Sequence, residues 1–144
     1  MKAGSLLFLR IGTGLLLIVW GLVRVAKPEI GAHVSDKYYS GIGAAHTVQL
    51  IWGAALLIVG ALTLAGLWRR VVYPAQAVIL VFGALSIWKY LLDPLGLWLL
   101  DREHSQILFF PSLTVAAASL VLLAFVEEDR LSLDAWWAGR GRQG

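Results

Sequence analysis

Three histidines and a handful of carboxylates are the side chains in this sequence best suited to hold a metal. His33, His46 and His104 lie in or beside the two longest polar stretches, with Asp36, Asp93, Asp101 and Glu103 nearby. Imidazole and carboxylate together suit zinc, copper or iron. His46, His104, His33, Asp101 and Glu103 therefore form a candidate metal or ligand site. His46 opens one apolar run and His104 just precedes another, so the two are also a candidate pair of axial ligands for haem b. Against these readings, Asp101-Arg102-Glu103-His104 is not a specific metal motif. No two histidines have the i, i+4 spacing of a helix face either, and the competing reading is polar residues at loops and helix starts. The chain has no cysteine, which removes disulfides, thiolate metal sites and iron–sulfur clusters. It has no Walker loop, dinucleotide fingerprint, zincin motif or nucleophile elbow.

A second set of polar residues sits inside apolar runs. On a helix, positions i, i+4, i+11 and i+14 share one face. Arg10, Gly14, Gly21 and Arg24 have that spacing, and so do Gln49, Gly53, Gly60 and Thr63. Gln76, Gly83 and Tyr90 share a face of a third run. Small residues let membrane helices approach closely, and polar side chains then bond across the contact. Gly14, Gly21, Gly53 and Gly60 are thus expected at helix contacts, with Arg10, Gln49 and Gln76 as intramembrane polar contacts. A charge at the centre of a spanning segment costs at least about 2.5–3.5 kcal/mol. Arg10 lies near a helix end, so it is expected to snorkel to lipid phosphate; the alternative is a guanidinium turned inward onto an anionic or quinone-like ligand. Lys89 and Asp93, at i and i+4, are expected to pair.

The elements that must position these groups are apolar. Hydrophobic residues make up 59% of the 144 and charged residues only 15%, where soluble domains carry about 25% charged residues. Four runs reach the roughly 20 residues needed to cross a bilayer, at about residues 5–26, 47–68, 71–92 and 106–126. They do not alternate as barrel strands do. The first is too long for a signal-peptide core, carries Arg10, and lacks a small-x-small site before Lys27-Pro28-Glu29, which argues for a retained span. The sequence predicts an all-α, integral membrane four-helix bundle in a single domain, with a short charged tail over 127–144. The second and third runs are joined by little more than Arg69-Arg70, which predicts a tight antiparallel hairpin. Residues 95–100 are apolar and are expected either along the membrane interface or tucked against the bundle.

Basic residues set orientation. Lys2, Arg69, Arg70, Arg130, Arg140 and Arg142 fall on one side; Lys27, Lys37 and Arg102, with Arg24 and Lys89 near helix ends, fall on the other. The richer side is expected to be cytoplasmic, giving an N-in/C-in topology with the three histidines outside. The net charge of +3 reads as orientation information, and no nucleic-acid partner is expected.

The stretch LLFLRIGTGLLLIVWGLVRVAKPE, with Arg10, Gly14, Gly21 and Arg24, resembles the opening of DoxX-like membrane proteins. IWGAALLIVGALTLAGLWRR, ending in the basic turn at Gly66 to Arg70, is similar to that family's Gly-rich second helix. The resemblance covers roughly residues 6–126 and implies a four-helix bundle in a prokaryotic cytoplasmic (inner) membrane. It also implies a link to quinone and electron-transfer chemistry, without transferring a catalytic residue. The expectation is an accessory subunit of a larger membrane assembly, non-catalytic rather than a stand-alone enzyme, with lipids and other subunits or further copies of itself as partners. The alternative is a small transporter or solute- or metal-binding membrane protein using the outer His/Asp/Glu set.

Overall fold

A computed structural model describes residues 1–41, 45–100 and 107–140. Among them every regular element is helical: α1 (Lys2–Ala26), α2 (Pro28–Tyr38), α3 (His46–Ala65), α4 (Arg69–Ser86), α5 (Trp88–Leu92), α6 (Pro111–Ala124) and α7 (Leu133–Arg140), with short 3-10 turns at Ile107–Phe109 and Val126–Glu128. Three helical stretches are long and apolar enough to cross a membrane: Lys2–Ala26, His46–Ala65 and Ile107–Ala124. The predicted third span is divided at Ile87 into α4 and α5, and α4 begins with Arg69 and Arg70, so on its own it is not among the three.

Helix α1 packs chiefly against α3, and α4 against α6. The α1–α3 contact is built on glycine. A Cβ on Gly14 would come within 3.1 Å of the Gly60 carbonyl oxygen, and one on Gly21 within 2.8 Å of the Gly53 oxygen. The pairing is antiparallel, so Arg24 comes beside Gln49 at one end, and Arg10 lies at the other. Gly83 has open space around it, and the buried face of α4 is instead Tyr73, Gln76, Ala77 and Ala84. Of the expected stripe of Gln76, Gly83 and Tyr90, Gln76 is buried and Tyr90 packs against aromatic rings, but Gly83 makes no close contact with another helix.

The turn between α3 and α4 is short, yet these two helices touch each other less than each touches its main partner. Gly66 ends α3 in a left-handed conformation, φ +70°, with its N–H bonded to Leu62 and Thr63 and the next N–H bonded back to Leu62. This glycine C-cap satisfies orphan carbonyls of the last turn. Arg69 and Arg70 then form the first turn of α4 rather than the connection itself.

Segment 69–92 runs beside α6 from end to end. At its start, Arg69 Nη1 donates to the backbone oxygens of Val126 and Asp129, which follow α6. At its end, Tyr90 meets Phe109, which precedes α6, and Tyr38 of α2, with ring centroids 5.5 and 5.4 Å apart. The polar stretch between the first two runs contains a helix, α2. Pro28 supplies the fixed φ that suits the first position of α2.

Candidate functional site

Two polar centres lie at opposite ends of the α1–α3 pair. At the first, Arg10 is turned inward and is 3% exposed. Its Nη1 donates to both carboxylate oxygens of Asp129, at 3.2 and 2.9 Å, and its Nη2 donates to the Leu131 carbonyl at 2.7 Å. The Tyr73 hydroxyl donates to the same carboxylate. Arg10 therefore neither snorkels to phosphate nor presents its fork to a ligand; the chain supplies its own counter-ion. A buried guanidinium needs a paired carboxylate, and Asp129 is placed to serve because the segment after α6 folds back under the helices; Arg10 Nε alone has no hydrogen-bond partner among the described residues.

That segment is held by several further bonds. Ser132 Oγ donates to the Asp129 carbonyl and accepts from Ala135 N. The Asp134 carboxylate accepts from the Arg69 backbone N–H at 2.9 Å, and the Asp134 N–H donates to Gly66. A Cβ on Gly66 would fall 2.7 Å from Arg10 Nη1 and 2.6 Å from Ser132 Cβ, so glycine is required there for space as well as for φ. Glu127 pairs with Arg70 and Glu128 with Lys2 at the exposed rim. The predicted charged tail is thus, through Arg140, an ordered cap. Its last helix carries Trp136 and Trp137 outward, with the Arg140 guanidinium 3.8 Å from the Trp136 ring centroid.

At the opposite end, Arg24 Nη1 donates to Gln49 Oε1, and Gln49 Nε2 donates to Ser35 Oγ at 2.9 Å. Gln49 is 1% exposed. It crosses between α1, α2 and α3 and ties α2 down. Gly31 is pressed against the Gln49 amide and the Arg24 stem. Burial pushes the Tyr39 phenol above its usual range, with the Arg24 charge opposing. Gln76 is fully buried, and both its amide atoms, like Thr63 Oγ1, lack a hydrogen-bond partner among the described residues.

The expected Lys89–Asp93 pair does not form. Lys89 Nζ lies 5.8 Å from the Trp88 ring centroid. Asp93 instead accepts the N–H groups of Leu97, Trp98, Leu99 and Leu100. Burial alone would raise the Asp93 carboxyl, but these four donors reverse the balance and hold it well below the usual carboxylate range. Four backbone donors converge more closely on one carboxylate than a single flexible ammonium does. The loop they shape carries Leu97 and Trp98 outward, 69% and 79% exposed.

Of the expected outer site, His33 is exposed on α2 and His46 is exposed at the start of α3. Asp101, Glu103 and His104 lie outside the described residues. No group of three metal-ligating side chains occurs among the described residues. The residue that reading the sequence missed is Asp129. Its signal was indirect: a guanidinium buried in an apolar run demands a carboxylate at the same end of the bundle, and only 127–129 and 134 supply one.

Comparison with protein-family models, with curated proteins and with solved structures finds no match.

Proposed function

We propose that this chain is a small multi-pass membrane subunit with four spanning segments, α1, α3, α4–α5 and α6, and both termini on the cytoplasmic side. The reading follows the resemblance of its first two helices to DoxX-like proteins of prokaryotic cytoplasmic membranes. It works as a largely non-catalytic partner in a larger assembly, of the kind that serves quinone-linked electron transfer. One observation carries this: the buried charge of Arg10 is matched by the chain's own Asp129, whereas the long helices turn apolar side chains outward. Phe8, Ile51, Ile58, Val78, Phe82 and Leu113 are all exposed. A surface of that kind suits lipid and neighbouring membrane helices. The run of 69–92 beside α6 supports counting it as a span, since its two ends meet the residues that flank α6.

The second reading, a solute-binding membrane protein, is favoured by Arg24, a cation at a cleft with no carboxylate partner among the described residues. Affinity purification in a mild detergent, with mass spectrometry and a visible absorption spectrum on the same sample, separates the two. Stoichiometric membrane partners support the subunit. A colourless homo-oligomer carrying a bound small molecule supports the solute-binding protein and contradicts the subunit reading.

A further inference from the structure

A cleft of about 350 Å³ lies between the second half of α1 and the first half of α2. Val19, Trp20 and Val23 form one wall and Ile30, Gly31 and Val34 the other; Arg24 is among the lining residues, although the lining surface is almost wholly apolar. The spacing explains the walls: 19, 20 and 23 share a face of α1, and 30, 31 and 34 share a face of α2. The volume falls at the lower end of the range for small-molecule sites, about 300–1,000 Å³. Its walls are otherwise apolar, and Val19, Trp20 and Ile30 also reach the outer surface.

Arg24 is unlike the other arginines of α1 and α4. Arg10 holds Asp129, Arg69 holds Asp134 and Arg70 holds Glu127. Arg24 has no carboxylate partner among the described residues, and its hydrogen bond there goes to the neutral Gln49 amide. Its Nε, like those of Arg10 and Arg69, has no hydrogen-bond partner among the described residues, so the missing carboxylate is what sets Arg24 apart. A partly buried guanidinium without a counter-ion favours an anion, to which its N–H bonds are charge-assisted.

We propose that the cleft binds an anionic phospholipid, with acyl chain against Val19, Val23, Ile30 and Val34 and headgroup phosphate on Arg24. The walls and the cation together call for a molecule that is apolar along its length and anionic at one end. The lateral exposure of Val19, Trp20 and Ile30 points to entry from the bilayer, and Trp20 beside the cation suits the headgroup level. This inference rests on the reading of α1 as a spanning helix.

The test uses the full-length protein, delipidated in detergent and titrated with dioleoyl phosphatidylglycerol, dioleoyl phosphatidylcholine or oleate, with bound lipid read by native mass spectrometry. Wild type should hold one phosphatidylglycerol in preference to phosphatidylcholine. Arg24→Gln should weaken phosphatidylglycerol binding roughly tenfold, the scale of one lost charge-assisted bond. Ile30→Trp and Val34→Trp, which fill the cleft and keep the charge, should weaken it comparably, while the exposed Arg70→Gln should not. Circular dichroism and thermal melts identify any cleft variant that fails to fold, and the other then decides. If filling the cleft leaves binding intact, attraction is to surface charge alone and the proposal fails. If oleate binds and phosphatidylglycerol does not, the occupant is a free fatty acid and the phospholipid assignment is wrong. Alkaline carbonate extraction separates this from the spanning reading: a protein that stays in the membrane but selects no anionic lipid overturns only the cleft.

Discussion

Arg10 and Asp129 stand 119 positions apart in the chain and meet in a buried ion pair, with side chains 4% and 1% exposed and Nη1 to Oδ2 at 2.9 Å. This contact joins the first helix to the segment after the last long one. Removing one member leaves the other as an uncompensated buried charge, which typically costs about 3–5 kcal/mol. Asp129→Ala should therefore lower the melting temperature in detergent far more than Glu127→Ala, whose exposed pair with Arg70 is of the kind worth about 0–1 kcal/mol. Replacing both members, as Arg10→Met with Asp129→Leu, should recover part of the loss. Equal effects of Asp129→Ala and Glu127→Ala would show that the pair is not buried as described.

The glycine contacts predict a position-dependent tolerance. Gly60→Leu and Gly21→Leu would drive a side chain into the facing backbone of the other helix. Overpacking of this sort costs about 1–3 kcal/mol, and the melt should shift accordingly. Gly12 and Gly83 have nothing within 4 Å of an added Cβ, so Gly12→Leu and Gly83→Leu should be tolerated. Comparable losses at all four positions would mean that the helices do not cross at Gly14–Gly60 and Gly21–Gly53.

These two ends of the molecule differ in how far the sequence discloses them. The repeated spacing of Arg10, Gly14, Gly21 and Arg24 with Gln49, Gly53, Gly60 and Thr63 is a local pattern, and helical periodicity alone puts each set on one face. On α4 the same spacing finds the buried Gln76 but not the role of Gly83, which resembles its counterparts by type and yet faces open space. Asp129 was hidden because it lies in a run of acids that looks solvated, and its burial depends on a chain reversal after α6 that no periodicity encodes. The α2 helix was hidden by polar composition; its Pro28 start was the readable signal. Asp101, Glu103 and His104 of the expected outer site fall outside the described residues.

The loop at Asp93 carries a pH prediction. Its carboxyl is held below the ordinary value in the folded loop, so the stabilisation is fully present above the ordinary carboxylate pKa, about 3.9. It diminishes as pH falls below that value toward the lowered one. Amides of Leu97 to Leu100 should exchange slowly with deuterium at pH 7 and retain most of their protection, corrected for intrinsic rate, at pH 5. Asp93→Ala should abolish that protection, while Lys89→Ala should leave it, because Lys89 makes no pair with Asp93. Loss of protection on Lys89→Ala would restore the ion pair expected from the i, i+4 spacing.

The exposed histidines should be energetically quiet. His33→Ala and His46→Ala each remove a surface side chain, and such changes usually stay within about 0.5 kcal/mol. Metal analysis and absorption spectra of wild type beside His33→Ala, His46→Ala and His104→Ala check this. Stoichiometric metal or haem that disappears in a histidine variant would move the functional centre to that end of the molecule.

The number of crossings tests the account most directly, because segment 69–92 decides whether it is odd or even. The chain has no cysteine, so single cysteines at residues 2, 36 and 143 can be labelled without background. With four crossings and cytoplasmic termini, a membrane-impermeant maleimide added to intact cells should label Asp36→Cys, and should reach Lys2→Cys and Gln143→Cys only after the membrane is opened. Labelling that places residues 2 and 143 on opposite sides would mean that 69–92 does not cross, and would contradict the four-span subunit proposed here.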